Sequence, residues 1–312
     1  MNFFSADGFL LSVAEAAFPR RPHALEVVEV EELRYRLLTV DGRPVVRWPF
    51  LDFFEPLSGP ARAAARLPYL QTVSRRAVPV AEWNPEMTTE DVQPAPFIDW
   101  SVLSTWPRAL ELWKTRPGNR LDDSQRRRRK LAREVGQIRF VSDDSSPAAL
   151  HQCLRWKSTQ YLASGYRDLF ADRRNVDLFS TLRRRGLLMI SSLYAGERLA
   201  AVHLGTIWQG RFYYWVPAYD EDLHRHAPGR ILLEEMLAFS HHSGHAQFDF
   251  LIGAEAYKFT YATHVRVVEP VGEPPFALTG ARAARRRIKD VLIRMPGLWK
   301  RTESLRRALR RA

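Results

Sequence analysis

The stretch from Phe248 to Ala262, FDFLIGAEAYKFTYA, decides the fold of this 312-residue chain. Its first five residues, 248–252, are apolar except for Asp249, which is typical of a short buried strand. Gly253 interrupts the strand, and the following residues, rich in Ala, Glu and Lys, predict a helix over 254–262. The order strand, glycine turn and helix indicates an α/β arrangement at this point of the chain.

Three polar side chains follow the glycine turn, namely Glu255, Tyr257 and Lys258. They are expected near the carboxyl end of a strand, where open α/β sheets bind ligands. Asp249 needs a partner inside its apolar strand, because an unpaired buried carboxylate costs several kcal/mol. Lys258 is the nearest candidate in sequence, and the pair is either a structural ion pair or part of a functional site.

Residues 249–258, DFLIGAEAYK, resemble the DF-x-x-G-x-E-x-YK signature of the CelD/BcsL-type acetyltransferases. That GNAT-superfamily family is associated with bacterial exopolysaccharide and cellulose synthesis and is related to FemAB-type aminoacyl transferases. The resemblance continues through AGERLAAVHLG, RFYYWVPAYD and HAPGR and back to SQRRRRKLAREVG, so that it covers Leu121 to Val271. It implies an α/β (α+β) fold with a GNAT-like mixed sheet flanked by helices. It also implies a degenerate tandem GNAT pair, with an amino-terminal GNAT-like domain over 1–120 and an acyltransferase domain over 121–275.

The function that the resemblance implies is an acyl-CoA-dependent N- or O-acyltransferase. Acetyl-CoA or another acyl-CoA is then the co-substrate, and a sugar or polysaccharide precursor accepts the acyl group directly. Two alternatives stay open: a FemAB-like transferase that uses aminoacyl-tRNA, and a non-catalytic GNAT-like scaffold.

Acyl transfer needs a base for the acceptor, donors for the oxyanion and an acid for the departing thiolate. Asp249 or Glu255 is the predicted base, and Tyr257 the predicted acid. Lys258 is predicted to orient a carboxylate or phosphate of either substrate. These four residues are the catalytic candidates.

In GNAT folds, amides of a loop and of the helix that follows a central strand hold the pyrophosphate of CoA. Here that segment is 219–231, YDEDLHRHAPGRI, and Pro228, Gly229, Arg230 and Ile231 are the predicted cofactor-binding residues. The segment has fewer glycines than the familiar GNAT loop and carries acidic residues at 220–222. Its alternative role is to cap a helix.

Four further residues, His203, Tyr214, Tyr219 and Arg127, are predicted to bind the substrate. Arg127 lies in a basic helix over 121–135, which in the resembling family lies close to the cleft. Its basic residues are otherwise a solvated helix face. A lone strand histidine such as His203 is otherwise a packing residue.

The charge of the chain is concentrated at one end. Residues 276–312 hold twelve Lys and Arg against Asp290 and Glu303, a net of +10 out of +12, so the remainder carries only +2. A nearly neutral body argues against specific nucleic-acid binding. Apolar residues at three- and four-residue steps within 276–312 predict a basic helical tail that contacts anionic membranes. A solvated tail, or one docked on the body, is the alternative.

Composition argues against a disulfide-bonded, membrane-spanning, exported or metal-binding protein. Cys153, the single cysteine, excludes an intramolecular disulfide and is expected to pack in the core. No apolar run approaches the roughly 20 residues that span a bilayer, and the first residues lack a basic leader. We therefore expect a cytoplasmic protein, peripheral at the inner membrane if the tail binds there. No metal is expected, because His241, His242 and His245 have no cysteine or regular carboxylate beside them.

Hydrophobic periodicity and turn signals predict the other elements. Asp41-Gly42 is a hairpin signal between strands. The predicted helices are 6–18, 106–113, 121–135, 148–163, 176–185 and 231–242. The predicted strands are 25–30, 34–40, 43–48, 137–141, 187–194, 199–208, 211–216 and 264–269, with short strands around 78 and 97.

Overall fold

The computed structural model describes residues 2–272 apart from 31, 47, 52, 58–61, 64–68 and 90. The predicted basic tail, 276–312, lies outside the described residues. Within them the helices are α1 Asp7–Ala17, α2 Trp106–Thr115, α3 Leu121–Glu134, α4 Pro147–Ala163, α5 Arg173–Arg184, α6 Pro228–His242 and α7 Ala256–Tyr261. The strands are β1 His23–Val30, β2 Leu33–Val40, β3 Arg43–Pro44, β4 Arg62–Ala63, β5 Leu70–Pro79, β6 Gln93–Asp99, β7 Ile138–Val141, β8 Met189–Ala195, β9 Arg198–Trp208, β10 Arg211–Tyr219, β11 Gln247–Asp249 and β12 His264–Val271.

The strands of the described residues form two sheets. The smaller has the order β3-β2-β1-β4, and the larger has the order β5-β12-β6-β11-β10-β9-β8-β7. In the larger sheet β10 and β11 are parallel and the other neighbours are antiparallel. A parallel pair needs a crossover connection, and α6 supplies it between β10 and β11. The predicted mixed sheet flanked by helices is confirmed.

Helices cover both faces of the larger sheet and enclose two apolar cores. On one face, buried side chains of α1, α4 and α5 share a core with the smaller sheet. On the other face, α2, α3 and α6 bury their apolar side chains with Tyr261 of α7. Successive residues of a strand point to opposite faces, so Phe212 and Tyr214 of β10 join the second core while Tyr213 joins the first. An irregularity between Tyr213 and Val216 breaks this alternation, and Val216 joins the first core as well. Helices α4 and α6 therefore lie on opposite sides of β10.

The first hairpin follows from its turn residues. Asp41 and Gly42 have positive φ values of 49° and 70°, as a two-residue turn of this kind requires, which confirms the predicted turn. The predicted strand 43–48 is too long, since β3 ends at Pro44. One more hydrogen bond follows, from the Val45 N–H to the carbonyl of Leu38, before the chain leaves the sheet.

The strand predicted over 248–252 ends early. β11 stops at Asp249 because Leu251 adopts a positive φ of 57° and donates its N–H to the Asp249 side chain, although the Phe250 N–H still bonds to the carbonyl of Pro96 in β6. The predicted helix 254–262 is likewise shorter, since α7 begins at Ala256 and Glu255 is its extended N-cap residue. Both changes place an irregular segment between β11 and α7.

The larger sheet is continuous across residue 120, where we predicted a domain boundary. β5 and β6 precede that residue, yet both are hydrogen-bonded to β12, and β6 also pairs with β11. Domains over 1–120 and 121–275 stay a prediction. None of the described helices is long and apolar enough to cross a membrane.

Candidate functional site

A cleft opens in the larger sheet where β10 and β11 separate. The two strands are paired only from Arg211 with Gln247 to Tyr213 with Asp249. Beyond that point β10 pairs with β9 alone, up to Tyr219, while the chain after β11 follows β6. The resulting cleft has a volume of about 1180 Å³ and lies at the carboxyl ends of two parallel strands joined by a crossover helix, a common position for ligand sites.

Side chains and backbone from six regions line this cleft. They are Val80, Trp83, Pro85 and Thr88 after β5; Arg116, Pro117, Gly118 and Arg120 before α3; Lys157 and Gln160 of α4; Tyr214, Pro217, Ala218 and Tyr219 of β10; His224, Ala227, Pro228, Gly229, Arg230, Leu232 and Leu233 around the start of α6; and Ala254 to Tyr257 with Phe259 to Tyr261 around α7.

The amino terminus of α6 faces the cleft. Arg230 and Ile231 both donate their N–H groups to the carbonyl of Ala227, and Pro228 has no N–H. Gly229 therefore supplies the amide that remains in the first turn, and a Cβ there would lie 3.1 Å from Cδ1 of Tyr219. Helix dipoles and free amides favour anions at such a position.

The structure places three of the four predicted cofactor-binding residues, Pro228, Gly229 and Arg230, along the cleft. The Nη2 atom of Arg230 lies 2.8 Å from Oδ2 of Asp123. The side chain of Ile231 is only 1% exposed and packs in the second core, and its N–H donates to Ala227, so a cofactor contact of Ile231 stays a prediction that this arrangement does not favour. Helical periodicity points Ile231 inward, away from the cleft.

Four tyrosines line the cleft, namely Tyr214, Tyr219, Tyr257 and Tyr261. Tyr257 is 39% exposed, whereas Tyr214 is 6% exposed. Burial, followed by the nearby charge of Glu255, raises the pKa of Tyr257 above its ordinary value. Burial also raises the pKa values of Tyr214 and Tyr219. These hydroxyl groups stay protonated at neutral pH and are able to donate hydrogen bonds or a proton into the cleft.

Glu255 and Lys258 form a pair beside these tyrosines. Nζ of Lys258 lies 3.0 Å from Oε2 of Glu255 and donates a hydrogen bond of 2.7 Å to the carbonyl of Ile252. Burial lowers the pKa of Lys258, and Glu255 opposes that effect. The Glu255 side chain is 57% exposed and lines the cleft, so it can meet a substrate, while Lys258 lies behind it. Gly253 makes room, since a Cβ there would approach Nζ of Lys258 to 2.6 Å.

The sequence suggested that Asp249 pairs with Lys258, but in the structure it pairs with Arg266. Its Oδ2 accepts a hydrogen bond of 3.2 Å from Arg266, and its Oδ1 accepts one of 2.9 Å from the Leu251 N–H. Asp249 is fully buried and does not line the cleft, an arrangement that argues against its predicted role as general base. We predicted Lys258 as the partner because it is close in sequence, but β12 brings Arg266 beside Asp249 of β11. The carboxylate holds Leu251 in its left-handed conformation.

His203 is also absent from the lining of the cleft. It is fully buried, and its Nε2 accepts a 2.9 Å hydrogen bond from the Trp215 N–H at an irregularity in the pairing of β9 with β10. Its ring stacks on Tyr214, with centroids 4.8 Å apart, and burial lowers the pKa of His203 to about 3. Gly205 leaves the space that this ring fills. His203 thus packs as a neutral residue against a cleft tyrosine, and its burial argues against the predicted substrate contact.

Arg127 is occupied within the protein rather than in the cleft. Its Nε lies 2.8 Å from Oδ2 of Asp123, and its guanidinium also donates to the carbonyl of Arg225. Arg127 is not among the lining residues, so its predicted substrate contact stays a prediction. Asp123 also accepts from Arg230, so α3 fixes an arginine that does reach the cleft.

Sequence reasoning missed several polar residues of the cleft. Arg116 and Arg120 lie in the connection from α2 to α3, and Lys157 and Gln160 lie one turn apart on α4. A polar pair inside a helix that buries its other face was a usable signal for α4. No pattern in the sequence indicated the two arginines, because the short connection between α2 and α3 has no periodicity.

Behind the cleft lies a half-buried acid, Glu234 of α6. Its Oε1 accepts hydrogen bonds from Oγ of Ser124 at 2.7 Å and from the hydroxyl of Tyr261 at 3.1 Å. Burial raises the pKa of Glu234 to about 7 in spite of these bonds. Tyr261 in turn lines the cleft, so the acid is one hydrogen bond from it.

Comparisons with known proteins define the class of this fold and site. Residues 119–259 match the family model described as acetyltransferase (GNAT) domain. This match covers less than half of the chain and supports an acyltransferase. A search of curated proteins finds no match.

Among solved structures, the chain is similar to FemX, with 8% identity, a TM-score of 0.52 and coverage of 87% of this chain and 91% of FemX. A conserved protein of unknown function from Bacteroides thetaiotaomicron has 10% identity and a TM-score of 0.48, over 85% of this chain and 90% of its own. A tandem GNAT protein from the clavulanic acid biosynthesis pathway has 11% identity and a TM-score of 0.38, over 86% and 89%. The FemX comparison shows a shared fold.

Proposed function

We propose that the chain transfers an acyl group from acyl-CoA to an amine or hydroxyl of a sugar or polysaccharide precursor, as the CelD/BcsL resemblance implies. The observation that carries the proposal is the gap between β10 and β11, with the start of α6 at its mouth. A thioester arm that enters this gap brings its carbonyl beside Tyr214 and Tyr257. Arg230 and the Gly229 N–H supply positive charge and a donor for the diphosphate.

The acceptor nitrogen or oxygen attacks the thioester carbonyl, the C–S bond breaks, and the sulfur leaves as a thiolate. The acceptor loses one proton and the thiolate gains one. Glu255, half exposed and charged beside Lys258, is placed to accept the first proton. Tyr257, with its raised pKa, is placed to donate the second.

A second candidate is transfer from aminoacyl-tRNA. The fold likeness to FemX supports it, and so does the make-up of the anion site, which has one free first-turn amide and several arginines. Both donors carry phosphate groups that such a site can bind.

The test is a titration of the protein with acetyl-CoA and with a charged tRNA, followed by an assay of thiol release with amino-sugar acceptors. The proposal expects saturable acetyl-CoA binding that Arg230→Ala weakens. Arg126→Ala is the matched control, since Arg126 also pairs with Asp123 yet is 74% exposed and does not line the cleft. Binding of charged tRNA alone would replace the first candidate with the second.

A further inference from the structure

Lys157 and Gln160 lie on the side of the sheet opposite to the predicted diphosphate site. They belong to α4, whose buried residues Leu150, Cys153 and Leu154 pack in the first core. The start of α6 belongs to the second core on the other face. The cleft passes between β10 and β11, so it is lined from both faces at once.

The ammonium group of Lys157 is a cation without a carboxylate partner in the described part of the chain. No Asp or Glu oxygen there lies within 4 Å of its Nζ, which instead lies 5.3 Å from the centroid of the Tyr161 ring. Burial lowers the pKa of Lys157, Cys153 and Glu255 oppose that effect, and the charge of Lys258 adds to it. Glu255 and Lys258 are already paired with each other. A partly buried ammonium group facing a cleft is stabilised when an anion binds beside it.

Gln160 adds a second donor one helical turn away. Residues three apart on a helix lie on the same face, and both line the cleft. The Nε2 atom of Gln160 is buried and has no hydrogen-bond partner in the described residues. Buried amide groups are rarely left without a partner, so this atom points to a ligand acceptor.

Given the proposed function, we propose that Lys157 and Gln160 bind a carboxylate or phosphate group of the acyl acceptor. An ammonium group and an amide N–H together suit an oxyanion. The phosphate groups of the donor share this chemistry, but the start of α6 with Arg230 takes them on the other face of the sheet. An acceptor that enters from the α4 side meets the thioester in the gap and leaves its anionic group at Lys157. The acceptor is therefore an acidic or phosphorylated sugar rather than a neutral one.

The test uses matched probes that differ by one anionic group, namely glucosamine 6-phosphate against glucosamine, and glucuronate against glucose. Dissociation constants are measured by ligand-observed NMR on the full chain without donor. The wild type is expected to bind at least one anionic probe roughly 10- to 100-fold more tightly than its neutral partner. Lys157→Met is expected to remove that preference, and Gln160→Leu to reduce it about 3- to 10-fold. Lys114→Met, at an exposed lysine of α2, is the control that removes the same charge elsewhere.

Acetyl-CoA affinity is measured separately on each variant, together with its thermal unfolding. The inference expects Lys157→Met to leave acetyl-CoA affinity unchanged. A loss of acetyl-CoA affinity without a loss of anion preference would assign this lysine to the donor and overturn the inference. Equal binding of both members of each pair by the wild type, or no binding of any probe, would overturn it as well. Failure of the wild type to bind acetyl-CoA, with the anion preference intact, would reject the proposed donor instead.

Discussion

Glu234 links the stability of this fold to pH. We predict that Glu234→Gln stabilises the protein at pH 8 and hardly changes it near pH 5. Glutamine keeps an oxygen that accepts from Ser124 and Tyr261, as the carboxyl does, but it cannot ionise. The folded state raises the pKa of Glu234 from 4.5 to about 7, chiefly through burial. The native state therefore holds more protons than the unfolded state between these two values.

The sign and size follow from proton linkage. The stability that protonated Glu234 contributes is full below about pH 4.5 and is lost progressively as pH rises to about 7. A difference of 1.36 kcal/mol per pH unit over this window gives a loss of about 3 kcal/mol by pH 8. Glu234→Gln removes the loss, so the free energies of unfolding of the two proteins diverge by about that amount between pH 5 and pH 8.

The assay is urea unfolding followed by circular dichroism at five pH values from 5 to 9. Glu197→Gln, in the exposed turn between β8 and β9, is the matched control that removes a carboxylate away from the buried site. If the free energies of unfolding of the wild type and Glu234→Gln change with pH in parallel from pH 5 to pH 8, ionisation of Glu234 does not control the stability of the fold.

Three further predictions concern other parts of the chain. Asp249→Asn is expected to lower the free energy of unfolding by about 3 to 5 kcal/mol, because it removes one charge of a fully buried ion pair; urea unfolding measures it. Gly253→Ala is expected to lower the turnover of acyl transfer with little change in acetyl-CoA affinity, because a Cβ at its φ of 143° displaces Glu255 and Lys258. Removal of residues 276–312 is expected to abolish co-sedimentation with anionic vesicles, which salt also weakens in the full chain.

Each of these predictions has a result that would contradict it. If Asp249→Asn lost all activity while its unfolding transition stayed unchanged, the Asp249 carboxylate would have a role in catalysis rather than in stability. A turnover of Gly253→Ala equal to that of the wild type would show that the pair of Glu255 and Lys258 has no part in acyl transfer. Equal sedimentation of full-length and shortened chains would exclude the tail as a membrane contact.

The sequence predicted elements well where the pattern was local. The turn at Asp41-Gly42 and the helices α3, α4 and α6 were evident from turn chemistry and periodicity, and the structure confirms them. β11 was predicted too long because periodicity registers apolar residues and not backbone hydrogen bonds, and the Leu251 N–H is held by Asp249.

Contacts between distant residues were not predictable from a single sequence. The partner of Asp249 is Arg266, which comes from another strand, and His203 reaches an irregularity in a neighbouring strand. Lys157 lies roughly one hundred residues before Tyr257, yet the two line one cleft. The order of strands in the sheet determines these contacts, and no local sequence pattern encodes that order.

The most direct test of the proposed donor site is a crystal structure of the protein with acetyl-CoA. We predict a diphosphate within hydrogen-bonding distance of the Gly229 N–H and the Arg230 guanidinium. We also predict that the thioester lies in the gap between β10 and β11, beside Tyr257. Acetyl-CoA bound outside this gap, or a diphosphate held away from the start of α6, would contradict the proposed donor site.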